Sequence, residues 1–83
     1  MIKIDPKVLK FAETMQNEIN QNSRKGNWED WQNPEEMFNE LEYHKQKLIK
    51  AFEDNNESQI KEYLADCANI LMFIGNTKNL YDN

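Results

Sequence analysis

Residues 56–75, NESQIKEYLADCANILMFIG, constrain the fold most, because no other stretch of the chain is both strongly helical and apolar on more than one side. At about 100° per residue, Ile60, Leu64, Cys67, Leu71 and Ile74 fall in one arc, the spacing of a helix face buried in a core. A second line, Glu62, Asp66, Asn69 and Phe73, runs down the other side, flanked by Ala65, Ile70 and Met72. Acids and an amide set among apolar residues call for partners, since a buried charge without one is costly. What they pair with is the functional question.

The chain of 83 residues makes one domain, 1–83, and a domain of this size buries only a limited share of its surface alone. With 39% hydrophobic residues and a helix that is apolar nearly all round, part of that surface is expected to be covered by a second copy, as a homodimer or homotetramer. The net charge of -5 argues against a groove for nucleic-acid polymer, which rests on Lys and Arg neutralising phosphates. The single cysteine, Cys67, has no internal partner and reads as a small core residue in a reducing compartment. With neither a signal peptide nor a long apolar run, the expected location is the cytoplasm, with no membrane partner.

Two helices precede the central stretch. Asp5 and Pro6 open the first, expected over 6–22, with Val8, Ala12, Met15 and Ile19 on one face beside Phe11. The segment 23–33 is polar and aperiodic and holds both tryptophans. Trp28 and Trp31 either cover the end of the core or stack on a nucleotide base, with Arg24 and Lys25 near its phosphates. Asn33 and Pro34 start the second helix, expected over 34–53, with Glu36 placed for a capping box and Met37, Leu41, Leu48 and Phe52 on the buried face. His44 falls inside that arc, and Glu40, His44, Lys47 and Ala51 border it. A short turn follows, and Asn56 with Gln59 caps the third helix, expected over 57–75. So short a connection makes the second and third helices an antiparallel hairpin, and the class is an all-α small helical bundle. Gly75 reads as a left-handed stop, after which Leu80 and Tyr81 fold back on the bundle.

Acids at i and i+4 on facing helices can cage a divalent cation, and Glu62 and Asp66 have that spacing. The second helix offers Glu40 and Glu42, but the residues expected opposite at mid-height are His44 and Lys47. An ammonium repels Mg²⁺, so the local reading is a pairing of Lys47 or His44 with Asp66 or Glu62. His44 could alternatively serve as a general base. No glycine-rich phosphate loop and no zinc-type Cys/His spacing is present.

The order KFAETMQNEI, NSRKGNWEDW, LEYHKQKLIKAFEDNN, IKEYLADCANILMFI resembles the phage-type branch of the MazG-like nucleotide pyrophosphohydrolases, in the all-alpha NTP pyrophosphatase superfamily. The specific parts are KGNW at 25–28 and ADCAN at 65–69. The resemblance implies a helical subunit that assembles into dimers or tetramers and cleaves nucleoside triphosphates with Mg²⁺. It also implies that Lys25, Trp28 and Asn69 belong to the binding surface. The family holds its metal with Glu-Glu-x-x-Glu on one helix and Glu-x-x-Asp on the next. Those positions are here Tyr43, His44 and Lys47, then Tyr63 and Asp66, so only Asp66 matches. Glu62 and Glu42 lie beside the pattern.

The first expectation is therefore a MazG-like phage-type protein without pyrophosphohydrolase activity and with no cofactor. It would bind a nucleotide or a host or phage protein, in the host cytoplasm, with Glu62, Asp66, His44 and Lys47 as a polar network. The alternatives are a working Mg²⁺-dependent nucleoside triphosphate pyrophosphohydrolase using Glu62 and Asp66 as metal ligands together with Glu40 or Glu42, and a purely structural helical interaction module.

Overall fold

A computed structural model describes residues 2–22 and 33–81. Among these there are three helices and no strand: α1 (Pro6–Asn22), α2 (Pro34–Glu53) and α3 (Glu57–Asn76). The architecture is the small all-helical bundle that the periodicity implied. The segment 23–32, with Arg24, Lys25, Trp28 and Trp31, lies outside the described residues.

Local chemistry sets each start. The Asp5 carboxylate accepts from the Lys7 amide at 2.8 Å, the Asn33 side chain from the Glu35 amide at 3.0 Å, and the Asn56 side chain from the Gln59 amide at 3.1 Å. Each satisfies an amide that the first turn of a helix leaves without a partner. Between α2 and α3 the Asn56 amide donates to Ala51 O at 3.0 Å and the Asn55 amide to Phe52 O at 3.1 Å, with Asn55 at φ 52°. This is the double bond of a Schellman stop, with asparagine taking the left-handed position. The chain reverses in three residues, and α2 and α3 form the antiparallel hairpin.

Gly75 does not stop α3. The helix runs to Asn76 with Thr77 as cap, and the left-handed residue comes later, at Asn79 with φ 55°. Gly75 serves close approach instead: a Cβ there would stand 2.8 Å from Cε2 of Tyr81. The tail thus returns onto α3 as expected at Tyr81, although Leu80 and most of the Tyr81 surface stay exposed.

Both other helices pack on α3. Its buried residues are Ala65, Asn69, Ile70 and Phe73, and those of α2 are Met37 and Ala51; α1 has none. Two expectations about faces are corrected here. The arc of Ile60, Leu64, Cys67, Leu71 and Ile74 is not the fully buried face: Leu64 is 36% and Leu71 56% exposed and the other three are half-buried, whereas Ala65 on the other side is 0% exposed. The second line wins: Ala65, Asn69 and Phe73, with Ile70 beside them, are the buried residues of α3, and Asn69 bonds to α1. On α2, Phe52 is exposed and Ala51 takes the inward place. The inward positions then read Met37, Leu41, His44, Leu48, Ala51, alternating four and three residues apart, which is the seam of two helices packed nearly in parallel planes. On α1, Val8, Phe11 and Ala12 are exposed, and the docked part is the C-terminal half, where Met15, Glu18 and Ile19 are half-buried.

Candidate functional site

The polar residues singled out by spacing meet halfway along the bundle. His44 stands on the inward seam of α2, with its Nδ1 3.8 Å from Asp66 Oδ2 on α3 and its Nε2 3.6 Å from Glu40 Oε2 one turn back on α2. The imidazole is mostly buried, and its Nδ1 has no hydrogen-bond partner. It therefore faces Asp66 across the hairpin without bonding to it. Of the pairings open to His44 and Lys47, the structure brings His44 and Asp66 face to face.

Lys47 takes another course. Among the described residues its ammonium makes no ion pair; it lies 5.1 Å from the centroid of the Tyr43 ring and 4.8 Å from that of Tyr63. Two aromatic faces on two helices hold the charge by their quadrupoles, each contact adding about 0.5–2 kcal/mol depending on desolvation. The Tyr43 ring also meets the His44 ring edge-on, centroids 5.5 Å apart. Four residues that occupy family metal-ligand positions under the resemblance, Tyr43, His44, Lys47 and Tyr63, thus pack on one another. The expected neutralisation of Asp66 by Lys47 is not made, because the two tyrosines offer the ammonium a nearer seat.

On the other side of Asp66, α1 supplies a residue that spacing alone did not bring forward. The Glu18 carboxyl is raised from its ordinary 4.5 to about 7, first by burial, then by the charges of Asp66 and Glu62 and by a hydrogen bond with Asp66. A carboxylic acid beside a carboxylate shares its proton rather than ionising, because two like charges at such range oppose each other. The signal was present in the sequence: Glu18 sits three residues after Met15 and next to Ile19, on the face by which α1 docks.

Asn69, placed by the resemblance on the binding surface, is 5% exposed, and its Nδ2 donates to Met15 O of α1 at 3.0 Å. It bolts α1 to α3. Its Oδ1 is buried without a hydrogen-bond partner. Glu62 is exposed on α3, within electrostatic reach of Glu18. Glu42 pairs on its own helix, with Lys45 Nζ 3.0 Å away and Gln46 Nε2 donating at 3.0 Å, and these bonds hold its carboxyl below the usual range. It is thereby committed to the surface of α2. Lys25 and Trp28 lie outside the described residues.

Mg²⁺ takes oxygen ligands in octahedral array, whereas the positions to which the resemblance assigns metal ligands hold, beside Asp66, an ammonium, an imidazole and two phenol rings, a set that does not fit a Mg²⁺ centre. Among the described residues no group of three or more His, Cys, Asp or Glu side chains is gathered so as to hold a metal. No helix among them is long and apolar enough to cross a membrane. Compared with protein-family models, curated proteins and solved structures, the chain has no match.

Proposed function

We propose that this chain is a MazG-like, phage-type subunit that has kept a helical scaffold and given up hydrolysis, and that it acts by binding a nucleotide. The observation that carries the reading is the seat of Lys47 between Tyr43 and Tyr63. A fixed positive charge and two rings stand where a pyrophosphohydrolase of that resemblance needs carboxylates. The Lys47 ammonium itself repels a divalent cation and attracts an anion. An exposed Tyr43 ring next to an ammonium supplies a stacking surface and a phosphate partner together. His44 and Asp66 then face each other across the hairpin, 3.8 Å apart.

The test is a panel of ribo- and deoxyribonucleoside triphosphates, offered with Mg²⁺ and with Mn²⁺, followed by pyrophosphate release. Folded wild-type protein should release none. Release that disappears in Asp66→Asn would overturn the reading and return the chain to the working hydrolases. Binding is read separately, with chelator present, from quenching of Trp28 and Trp31 fluorescence by the same nucleotides. Quenching weakened about tenfold in affinity by Lys47→Met supports the nucleotide reading. Its complete absence in the wild type would point to a host or phage protein as the partner.

A further inference from the structure

α1 carries one apolar line, Val8, Phe11, Met15 and Ile19, and only half of it is covered. Met15 and Ile19 are half-buried, whereas Val8 is 59% and Phe11 40% exposed. The covered half fixes how α1 lies. Met15 bonds to Asn69, while Glu18, one turn further along α1, meets Asp66, one turn back on α3. Positions that rise on α1 fall on α3, so the two helices run antiparallel. The first turns of α1 thus stand at the end of α3 from which Leu80 and Tyr81 emerge, α1 extending about 13 Å beyond Met15 and α3 about 10 Å beyond Asn69. Leu80, Tyr81 and, just ahead of α1, Ile2 and Ile4 are all exposed.

Charge at this end is opposite to that of the chain. Residues 2–11 hold Lys3, Lys7 and Lys10 against Asp5, a net +2 in a chain of net charge -5, so the rest carries -7. Exposed Lys78, just before Leu80, adds a fourth cation. Lys45 and Lys50 elsewhere are answered by Glu42 and Asp54 one turn away. Among the described residues Lys3, Lys7 and Lys10 make no ion pair, and Lys7 and Lys10 stand one turn apart, where like charges repel. The acids at the same end, Asp5 and the first-turn Glu35 and Glu36 of α2, sit at helix starts, where the amide dipoles offset their charge.

We infer that this end of the bundle docks on a membrane surface of anionic lipid. The lysines select an anionic partner, and the apolar residues among them select lipid over a soluble anion. At about 100° per residue, Phe11, Val8 and Leu9 spread over about 160° of α1 with Lys7 and Lys10 on the remainder, the layout of a helix that lies in the headgroup layer. Lysine stems reach back along the apolar surface to lipid phosphates, and the Tyr81 ring suits the same depth, with its hydroxyl in the polar layer. Ile2 and Ile4 lie outside the helix and Leu9 beside its apolar line, so no one partner helix meets them all, whereas lipid conforms to each. That no described helix is long enough to cross a bilayer is no obstacle, since lying on one needs only an apolar face bordered by cations.

The inference is independent of the proposed function and is tested on the full chain by cosedimentation with vesicles, of phosphatidylcholine alone and of phosphatidylcholine mixed with phosphatidylserine. Helix content is followed by circular dichroism. The wild type should bind the mixed vesicles at least tenfold more tightly than the neutral ones, and less as salt is raised. Replacing Lys3, Lys7 and Lys10 together by glutamine should weaken that binding by about a hundredfold, at roughly fivefold for each lysine. Val8→Gln with Leu9→Gln alters exposed positions without changing charge, so it should keep the helix content and still weaken binding about tenfold or more. Folded wild type that binds neither vesicle at low salt would overturn the inference and leave this end to an acidic protein. Equal binding to both vesicles, or a triple glutamine variant that binds like the wild type, would overturn the part given to the lysines. A Val8, Leu9 variant that binds like the wild type would overturn insertion and leave adsorption by charge alone.

Discussion

Replacing Glu18 by glutamine should make the protein more stable above neutral pH while leaving it nearly unchanged in acid. In the folded chain the Glu18 carboxyl ionises at about 7, against an ordinary 4.5, because burial and the charges of Asp66 and Glu62 oppose its charged form. Its folded value is raised, so the folded state binds the proton more tightly than the unfolded one. The contribution to stability is therefore fully present below about 4.5 and is lost as pH climbs through about 7, where the folded protein must ionise a group that the unfolded chain ionised long before. At 1.36 kcal/mol per unit, a rise of that size sets a ceiling of about 3 kcal/mol. Glu18 is only half-buried, and water screens its neighbours, so the expected loss is on the order of 1 kcal/mol. For a chain of this length that is about 4–8 °C in melting temperature. Glutamine keeps the shape and a donor for Asp66 but never ionises. Melting curves of wild type and Glu18→Gln, taken every half unit across this range, should run together in acid and diverge with pH, the variant above. Groups that titrate alike in both proteins cancel in the difference. Parallel curves across the whole range would refute the placement of Glu18 against Asp66 and Glu62.

Three further outcomes follow from the packing. Met37 is 2% exposed on the inward seam of α2, so Met37→Ala should cost about 2–5 kcal/mol in urea unfolding, a large part of what so small a domain has; a loss under about 1 kcal/mol would mean that α2 is not packed there. Asn56→Ala removes the acceptor for the Gln59 amide and should cost about 1 kcal/mol, while Asn56→Asp should keep the cap and its stability. Gly75→Ala should stabilise α3 by up to about 1 kcal/mol through lower backbone entropy in the unfolded chain, while moving the Tyr81 ring off its seat. The near-ultraviolet tyrosine signal should fall as the melting temperature rises, and a net destabilisation would show that the Tyr81 contact outweighs the helical gain.

Helix boundaries were legible in the sequence because they are decided within a few residues. Asp5 beside Pro6, Asn33 beside Pro34 and Asn56 three residues before Gln59 each satisfy amides of their own first turn, and all three starts are where the capping residues place them. The hairpin followed from the shortness of the turn. Glycine chemistry points to Gly75 as the left-handed stop, whereas asparagines hold that conformation at 55 and 79 and Gly75 serves the approach of Tyr81. A glycine leaves both uses open, and only the course of the tail distinguishes them.

What the sequence could not choose was which of several apolar faces turns inward. α3 presents apolar residues nearly all round, so periodicity names its stripes without ranking them. Ranking came from the neighbours: Asn69 bonds to α1, and α2 turns Met37 and Ala51 inward, which leaves Leu64 and Leu71 of α3 exposed. The candidate site divides in the same way. Within α2 the i, i+4 and i, i+3 spacing alone brings Glu40 to His44 and Glu42 to Lys45, since those distances are fixed by the helix. The meeting of His44 with Asp66, the seat of Lys47 between Tyr43 and Tyr63, and the approach of Glu18 to Asp66 join different helices. Local chemistry determines where each helix begins and what its surface offers; the angle at which the helices cross determines which of those offers meet.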